Sequence, residues 1–440
     1  MSGAGRDWTA AAGGPLRGRV RVPGDKSISH RAIMLGALAE GVTRISGFLE
    51  GEDTRATARV FEQLGVRIER PGFGECIVHG VGLHGLRGSD RVLDCGNAGT
   101  GMRLLAGVLA GQPFDSVLTG DVSLSKRPMR RVTEPLASMG ARIDTGADGV
   151  PPLHIHGGQQ LHGIEYALPV ASAQVKSALL LAGLYADGET VLSEPHPTRD
   201  YTERMLAAFG WPIEFRPGHA CLQGRHKLRA TDIDVPADFS SAAFFLVAAS
   251  VVPGSELCIE AVGINPRRTG LLQALRLMGA DIREENRRQC GGEPVADLLV
   301  RHAVLHGIEV PETLVPDMID EFPALFIAAA CASGRTVVRG AAELRVKESD
   351  RIATMAAGLR ALGVGIEETP DGAVIEGGDA VGGGIVDSHG DHRIAMSFAV
   401  AAQVAEGEVC IRDIANVATS FPGFEELATQ AGRSVQNTPL

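Results

Sequence analysis

What most limits the fold of this chain is a repeat. Six Ala/Leu-rich segments each run into a glycine, at 33–41, 104–111, 179–188, 244–254, 326–334 and 398–407. Each reads as a buried helix ended by a residue free to adopt the left-handed conformation. A β-rich stretch follows each one, at 43–46, 117–119, 190–192, 257–259, 336–338 and 409–411. A second, amphipathic helix comes next, clearest over 128–139, where Met129, Val132, Leu136 and Met139 recur at helical spacing behind Pro128 as a first-turn proline. Gly65, Gly140, Gly210, Gly279, Gly363 and Gly432 close these helices, and a short strand such as 280–283 follows. The expected unit is therefore β-α-β-α-β-β, too short and regular for one long doubly wound sheet.

At 440 residues the chain exceeds what one hydrophobic core supports, so six units divide into two lobes of three. Val22-Pro23-Gly24-Asp25 and Val235-Pro236-Ala237-Asp238 read as the crossings. The expectation is a discontinuous lobe, 1–23 plus 237–440, a second lobe over 24–236, and an active site in the cleft between them. Residues at the N-terminus read as a short tail without a signal-peptide core. The longest apolar run, 242–252, falls well short of a membrane span. Seven cysteines without a Cys-x-x-Cys pair fit thiols in a reducing compartment, so a cytoplasmic protein without a structural metal is expected. A net charge of −11 and 4% aromatic residues disfavour nucleic-acid and membrane partners. Any bound anion then has to meet a local basic site.

Helix N-termini in repeated α/β units favour anions, through free N–H groups and the helix dipole. Lys26, Arg31, Arg127, Arg199, Lys347, Arg351 and Arg393 recur at such termini in this acidic chain, where together they are able to clamp phosphate and carboxylate groups. Asp320 and Glu348 lie within the same basic set, either as salt-bridge partners or as a general base and acid. His154 and His156 alternate on an expected strand and read as surface residues. No phosphate-binding loop of the Gly-x-x-x-x-Gly-Lys kind and no convincing dinucleotide fingerprint is present, so neither nucleotide-driven chemistry nor hydride transfer is supported.

Six motifs, in order along the chain, then carry a resemblance: Pro23-Gly24-Asp25-Lys26-Ser27-Ile28-Ser29-His30-Arg31, Gly96-Asn97-Ala98-Gly99-Thr100, Lys126-Arg127-Pro128-Met129, Ala171-Ser172-Ala173-Gln174-Val175-Lys176, Val346-Lys347-Glu348-Ser349-Asp350-Arg351 and Asp391-His392-Arg393. Together they resemble the 5-enolpyruvylshikimate-3-phosphate synthase family. That resemblance implies an α/β fold of two lobes, each of three β-α-β-α-β-β units in an enolpyruvyl transferase-like inside-out barrel. It implies enolpyruvyl transfer between phosphoenolpyruvate and shikimate 3-phosphate, no cofactor or metal, and a monomer. By motif, Lys26, Ser27, Arg31, Ser172, Gln174, Arg199, Asp320 and Lys347 would hold shikimate 3-phosphate. Lys26, Gly99, Arg127, Gln174, Arg351 and Arg393 would hold phosphoenolpyruvate. Asp320, Glu348 and Lys26 would be catalytic.

Two positions depart from many members: Ala173 stands where a second serine is common, and Thr419 where a lysine is common. Both resemble a divergent bacterial branch that includes glyphosate-tolerant enzymes, whereas Gly99 is typical of sensitive ones. UDP-N-acetylglucosamine enolpyruvyl transferase resembles the chain less well, having Lys-Asn in place of Lys26-Ser27 and a reactive cysteine in the loop occupied by 123–127. A non-enzymatic repeat scaffold would leave the recurring arginines and the Asp320/Glu348 pair without a role.

Overall fold

The structure, a computed structural model, describes residues 6–432 and the backbone of 434–437. Its contacts divide the chain into two units. The first holds the described residues up to Pro23, Pro236–Arg288 and those from Pro294 on; the second holds Gly24–Val235 and Gln289–Glu293. The sequence expectation had left that last segment in the other lobe. It groups with the second unit because the Cys290 thiol donates to Asp234 Oδ2 (2.9 Å), Arg204 Nη1 donates to the Gly292 carbonyl (3.3 Å), and Arg204 faces Glu293 at 3.7 Å.

Twelve α-helices are described: α1 (Lys26–Leu38), α2 (Glu52–Gln63), α3 (Gly99–Ala110), α4 (Arg130–Ser138), α5 (Ala173–Gly183), α6 (Tyr201–Ala208), α7 (Phe239–Val251), α8 (Gly270–Leu277), α9 (Phe322–Cys331), α10 (Arg351–Ala361), α11 (His392–Ala401) and α12 (Phe424–Gln430). The odd-numbered helices are the apolar segments of the repeat. They are buried almost all round, α7 and α11 at every position, as expected for helices at the centre of a domain. In the second unit α3 packs on α5, with Gly107 so close to the Ala178 carbonyl that no side chain fits between. The even-numbered helices are less completely buried, α4 and α12 at fewer than half of their positions.

Among the described residues, three sheets lie in each unit. In the α3/α4 repeat, Ser116–Thr119 pairs parallel with Leu93–Asp94 and antiparallel with Leu153–His156, which pairs antiparallel with Arg142–Thr145. The same order recurs in the other repeats: a parallel edge strand, the strand after the first helix, then an antiparallel pair. In the α9/α10 repeat the edge is reduced to a parallel bridge, Glu309 to Val337. The sheets stay separate, and none of those described closes into a barrel of its own.

The N-terminal segment is not a tail. Trp8–Ala11 is a strand that completes the α11/α12 repeat, antiparallel to both Val409–Arg412 and Ser434–Asn437. Trp8 is buried, stacks on Phe424 at 5.4 Å and donates from Nε1 to Glu425 Oε1 (2.8 Å). The even helices end as expected: Gly65, Gly140, Gly210, Gly279, Gly363 and Gly432 all have φ between 80° and 99° and directly follow the last helical turn. The odd helices differ. α1, α7 and α9 run out into extended backbone at Ala39, Val252 and Ala332, ahead of their glycines, while Gly111 caps α3 with φ −90°. α11 stops at Ala401, well before Gly407. α4 starts at Arg130 rather than 128, leaving Pro128 outside the helix, and the Met129 N–H just before it is bonded to the Gly149 carbonyl (2.8 Å). No described helix is long and apolar enough to cross a membrane.

Candidate active site

In the second unit the first cluster gathers around α1. Asp25 caps the helix by accepting from the Ile28 N–H (2.9 Å), and its other oxygen accepts from Tyr201 Oη (3.1 Å). Lys26 extends its ammonium to Asp53 on α2, 3.1 Å away. One turn on, Arg31 is buried and anchored from three sides: Nε donates to Thr202 Oγ1 (2.7 Å), Nη2 to Ser177 Oγ (2.8 Å) and Nη1 to the Ser27 carbonyl (2.9 Å). Burial lowers Arg31 to about 10, against the pull of Glu203, Asp25 and Tyr201, with Arg199 close enough to push the same way as burial. A guanidinium so held is a fixed positive charge whose orientation is set before any ligand arrives.

The second cluster joins α3, α5 and the segment before α4. Ala98 precedes α3 without a side-chain cap, and Gly99 opens the helix. A Cβ on Gly99 would stand 3.0 Å from Nη1 of both Arg103 and Arg127. Arg127 Nη2 donates to Asn97 Oδ1 (2.8 Å), and Arg103 Nη1 donates to Gln174 Oε1 (2.9 Å). Gln174 Nε2 in turn donates to Thr100 Oγ1 (2.9 Å). Ser172, the N-cap of α5, accepts from the Val175 N–H. Gly99, Arg127 and Gln174 are thus brought together, with Arg103 as the link.

In the first unit the network centres on two carboxylates. Asp320 lies two residues before the start of α9, and three cations ring it: Arg268 Nη1 at 3.5 Å, Lys347 Nζ at 3.6 Å and Arg351 Nη1 at 3.6 Å. Its carbonyl accepts from Arg393 Nη1 (3.2 Å). Glu348 accepts from Arg351 Nη2 (2.6 Å). Arg351 is buried, and its Nε donates to Asp391 Oδ2 (2.8 Å), a carboxylate fully removed from solvent that also caps α11 by accepting from the Arg393 N–H (2.9 Å). Burial opposes the Arg351 charge, but Asp391, Glu348 and Asp320 outweigh it and hold the guanidinium above its ordinary range. Asp320, Lys347, Glu348, Arg351 and Arg393 therefore form one connected set.

Several residues of these networks escape a reading by motif. Arg103, Asp53, Ser177 and Thr202 bond site residues from outside every quoted motif, while Asp391, the first residue of the last motif, holds Arg351. Arg268, buried against Asp238, Ser240 and Glu321, was within reach of the repeat argument, because Arg267-Arg268 precede α8 much as Lys126-Arg127 precede α4.

A basic, carboxylate-bearing network of this kind is compatible with more than one anion chemistry; comparison with known proteins decides among families. Residues 10–427 match the family described as EPSP synthase (3-phosphoshikimate 1-carboxyvinyltransferase). The chain belongs to the EPSP synthase family. Proteins named 3-phosphoshikimate 1-carboxyvinyltransferase are 69% identical in Xanthomonas euvesicatoria pv. vesicatoria, over 98% of each chain, and 68% identical in Xanthomonas campestris pv. campestris strain 8004, over 100% of each. A solved EPSP synthase from Acinetobacter baumannii superposes with a TM-score of 0.90 at 54% identity, covering 99% of this chain and 100% of that one. The enolpyruvyl transferase NikO from Streptomyces tendae shares the fold, with a TM-score of 0.79 at 20% identity and 99% of each chain covered.

Proposed function

We propose that this EPSP synthase family member transfers the enolpyruvyl group of phosphoenolpyruvate to the 5-hydroxyl of shikimate 3-phosphate and releases phosphate. The observation that carries the reading is the Asp320 carboxylate set among Arg268, Lys347 and Arg351, with Glu348 on the same arginine. In the addition, Asp320 takes the proton of the attacking hydroxyl as its oxygen bonds to C2 of phosphoenolpyruvate, while Glu348 in its acid form delivers a proton to the C3 methylene. The tetrahedral intermediate then expels phosphate as the Glu348 carboxylate takes back a methyl proton, restoring the double bond in the product. Fixed cations suit both steps, because negative charge builds on oxygen next to phosphate and carboxylate groups.

The acceptor is assigned to Lys26, Ser27, Arg31, Ser172, Gln174, Arg199, Asp320 and Lys347. Phosphoenolpyruvate is assigned to Lys26, Gly99, Arg127, Gln174, Arg351 and Arg393. Supporting this division are the rigid mounting of Arg31 on Ser177 and Thr202, and the link from Gln174 through Arg103 to the surroundings of Gly99.

The test is phosphate release from phosphoenolpyruvate, with shikimate 3-phosphate or UDP-N-acetylglucosamine as acceptor. Release with the first alone is expected, and equal turnover with the second would overturn the reading. Asp320→Asn and Glu348→Gln should each lower kcat at least ~10²-fold, the lower range for a positioned acid or base. Near-normal turnover in both would reduce the pair to partners of the arginines.

A further inference from the structure

The segment 194–200, between the strand Glu189–Ser193 and α6, carries Arg199 but contains no helical turn of its own. The corresponding segment of the preceding repeat, which carries Arg127, does. There Leu124–Lys126 forms a 3-10 turn, organised by Asp121, whose Oδ1 accepts from the Leu124 N–H (2.7 Å) and whose carbonyl accepts from the Ser125 N–H (2.9 Å). Glu194 stands at the equivalent place just after its strand, yet its side chain is wholly buried. It accepts from the Thr198 N–H (3.2 Å) and the Thr198 hydroxyl, and it faces Lys176 Nζ at 2.8 Å. Lys176 lies on α5, two residues beyond Gln174, and its ammonium also pairs with Glu203 on α6 at 2.9 Å.

A buried ammonium therefore ties together α5, α6 and the segment between them. Burial disfavours the Lys176 charge, but Glu203 and Glu194 outweigh it and hold the group above its ordinary range. Pro195 and Pro197 narrow the backbone freedom of the segment, but nothing in them sets where it sits. The Glu194–Thr198 bonds supply that placement, one residue from Arg199. On the adjacent positions Ser177 and Thr202 of the same two helices clasp Arg31, so one helix pair holds both arginines.

We propose that Lys176 and Glu194 are positioning residues for the acceptor, fixing through Thr198 the segment that presents Arg199. This rests on the reading that Arg199 binds shikimate 3-phosphate. The cluster touches no substrate in this scheme; it acts through Arg199 alone, so its loss appears in the acceptor KM and not in the chemistry.

Steady-state kinetics of a small variant set decide the matter. Thr198→Val, which removes the hydroxyl and leaves the buried ion pairs in place, should raise the KM for shikimate 3-phosphate about tenfold, the lower end for one lost hydrogen bond to a charged group. Its kcat and its KM for phosphoenolpyruvate should stay within about twofold, and Thr198→Ser should restore the wild-type acceptor KM. In an Arg199→Ala background, Thr198→Val should add nothing further. Lys176→Met leaves two buried carboxylates unpaired, so it is measured together with Lys176→Met/Glu203→Gln, which removes one of those charges; both should show the acceptor-only rise. If Arg199→Ala raises the acceptor KM but Thr198→Val and the Lys176 double variant do not, the proposal fails while the substrate reading stands. If Arg199→Ala itself leaves that KM unchanged, the assignment of Arg199 is wrong and the proposal falls with it.

Discussion

Asp391→Asn isolates one buried charge with little change of shape. Asp391 is fully removed from solvent, and its carboxylate serves four donors: Arg351 Nε at 2.8 Å and Nη2 at 3.4 Å, Ser349 Oγ at 3.2 Å and the Arg393 N–H at 2.9 Å. Asparagine caps helices about as well as aspartate, so the bond to the Arg393 N–H survives the exchange. The new NH₂ group then meets Arg351 Nε, donor against donor, and the guanidinium loses its one fully buried counter-charge. Breaking a buried pair from one side costs roughly 3–5 kcal/mol. Glu348 and Asp320 remain near Arg351 but are 24% and 18% exposed, so they compensate in part, and the lower end, about 3 kcal/mol, is expected. At ~3 °C per kcal/mol for a unit of this size, a melting transition should fall by about 10 °C in scanning calorimetry. Asp391→Ala, which also loses the cap, should fall further by about 1 kcal/mol. Kinetically, the KM for phosphoenolpyruvate should rise as Arg351 loses its anchor. An Asn variant that melts within about 2 °C of the wild type would refute the argument, since the Asp391–Arg351 pair would then contribute nothing net.

Two further outcomes are expected. Burial, with Lys26 and Arg31 nearby, lowers His30 from 6.5 to about 3, so between those values the unfolded chain binds a proton that the folded chain refuses. Stability is therefore lost as pH falls through that window, by about 2 kcal/mol at pH 5, and His30→Asn should show that much less loss between pH 7 and 5 in urea titrations; parallel losses would refute it. Gly99→Ala forces the Arg103 and Arg127 guanidinium groups, each 3.0 Å from the new methyl, to give way. Glyphosate spans more between its anionic ends than phosphoenolpyruvate, so its inhibition constant should rise more than the KM for phosphoenolpyruvate; equal factors would show that Gly99 does not gate the inhibitor, leaving Ala173 or Thr419 as the better suspect.

How far such a chain is legible depends on whether a structural requirement is met by one residue or by a distant pair. The ends of the even helices were legible because a left-handed turn asks for glycine at a single position, and six of them repeat. The ends of the odd helices were not: α1 stops at Ala39 because the Glu40 N–H is taken by the Leu228 carbonyl (2.9 Å), a partner no local pattern announces. The strand Trp8–Ala11 was missed for the same reason, its register being set by Val409–Arg412 at the far end of the chain. The site divides along that line too. Lys26, Arg127, Lys347 and Arg351 could be singled out because a cation at a helix start is conspicuous in an acidic chain, and the repeat lets one unit be compared with the next. Thr202, Ser177 and Asp391 are equally necessary to the geometry, but each looks like an ordinary capping residue until its partner is known, and Arg31 lies 171 residues from Thr202 and 146 from Ser177. Where both kinds of information coincide, as at Arg268, the repeat should reveal the supporting residue as well: the position before an even helix is basic in the α4, α6, α8 and α10 repeats, and in each the structure sets that residue among carboxylates, a fellow arginine or an asparagine carbonyl.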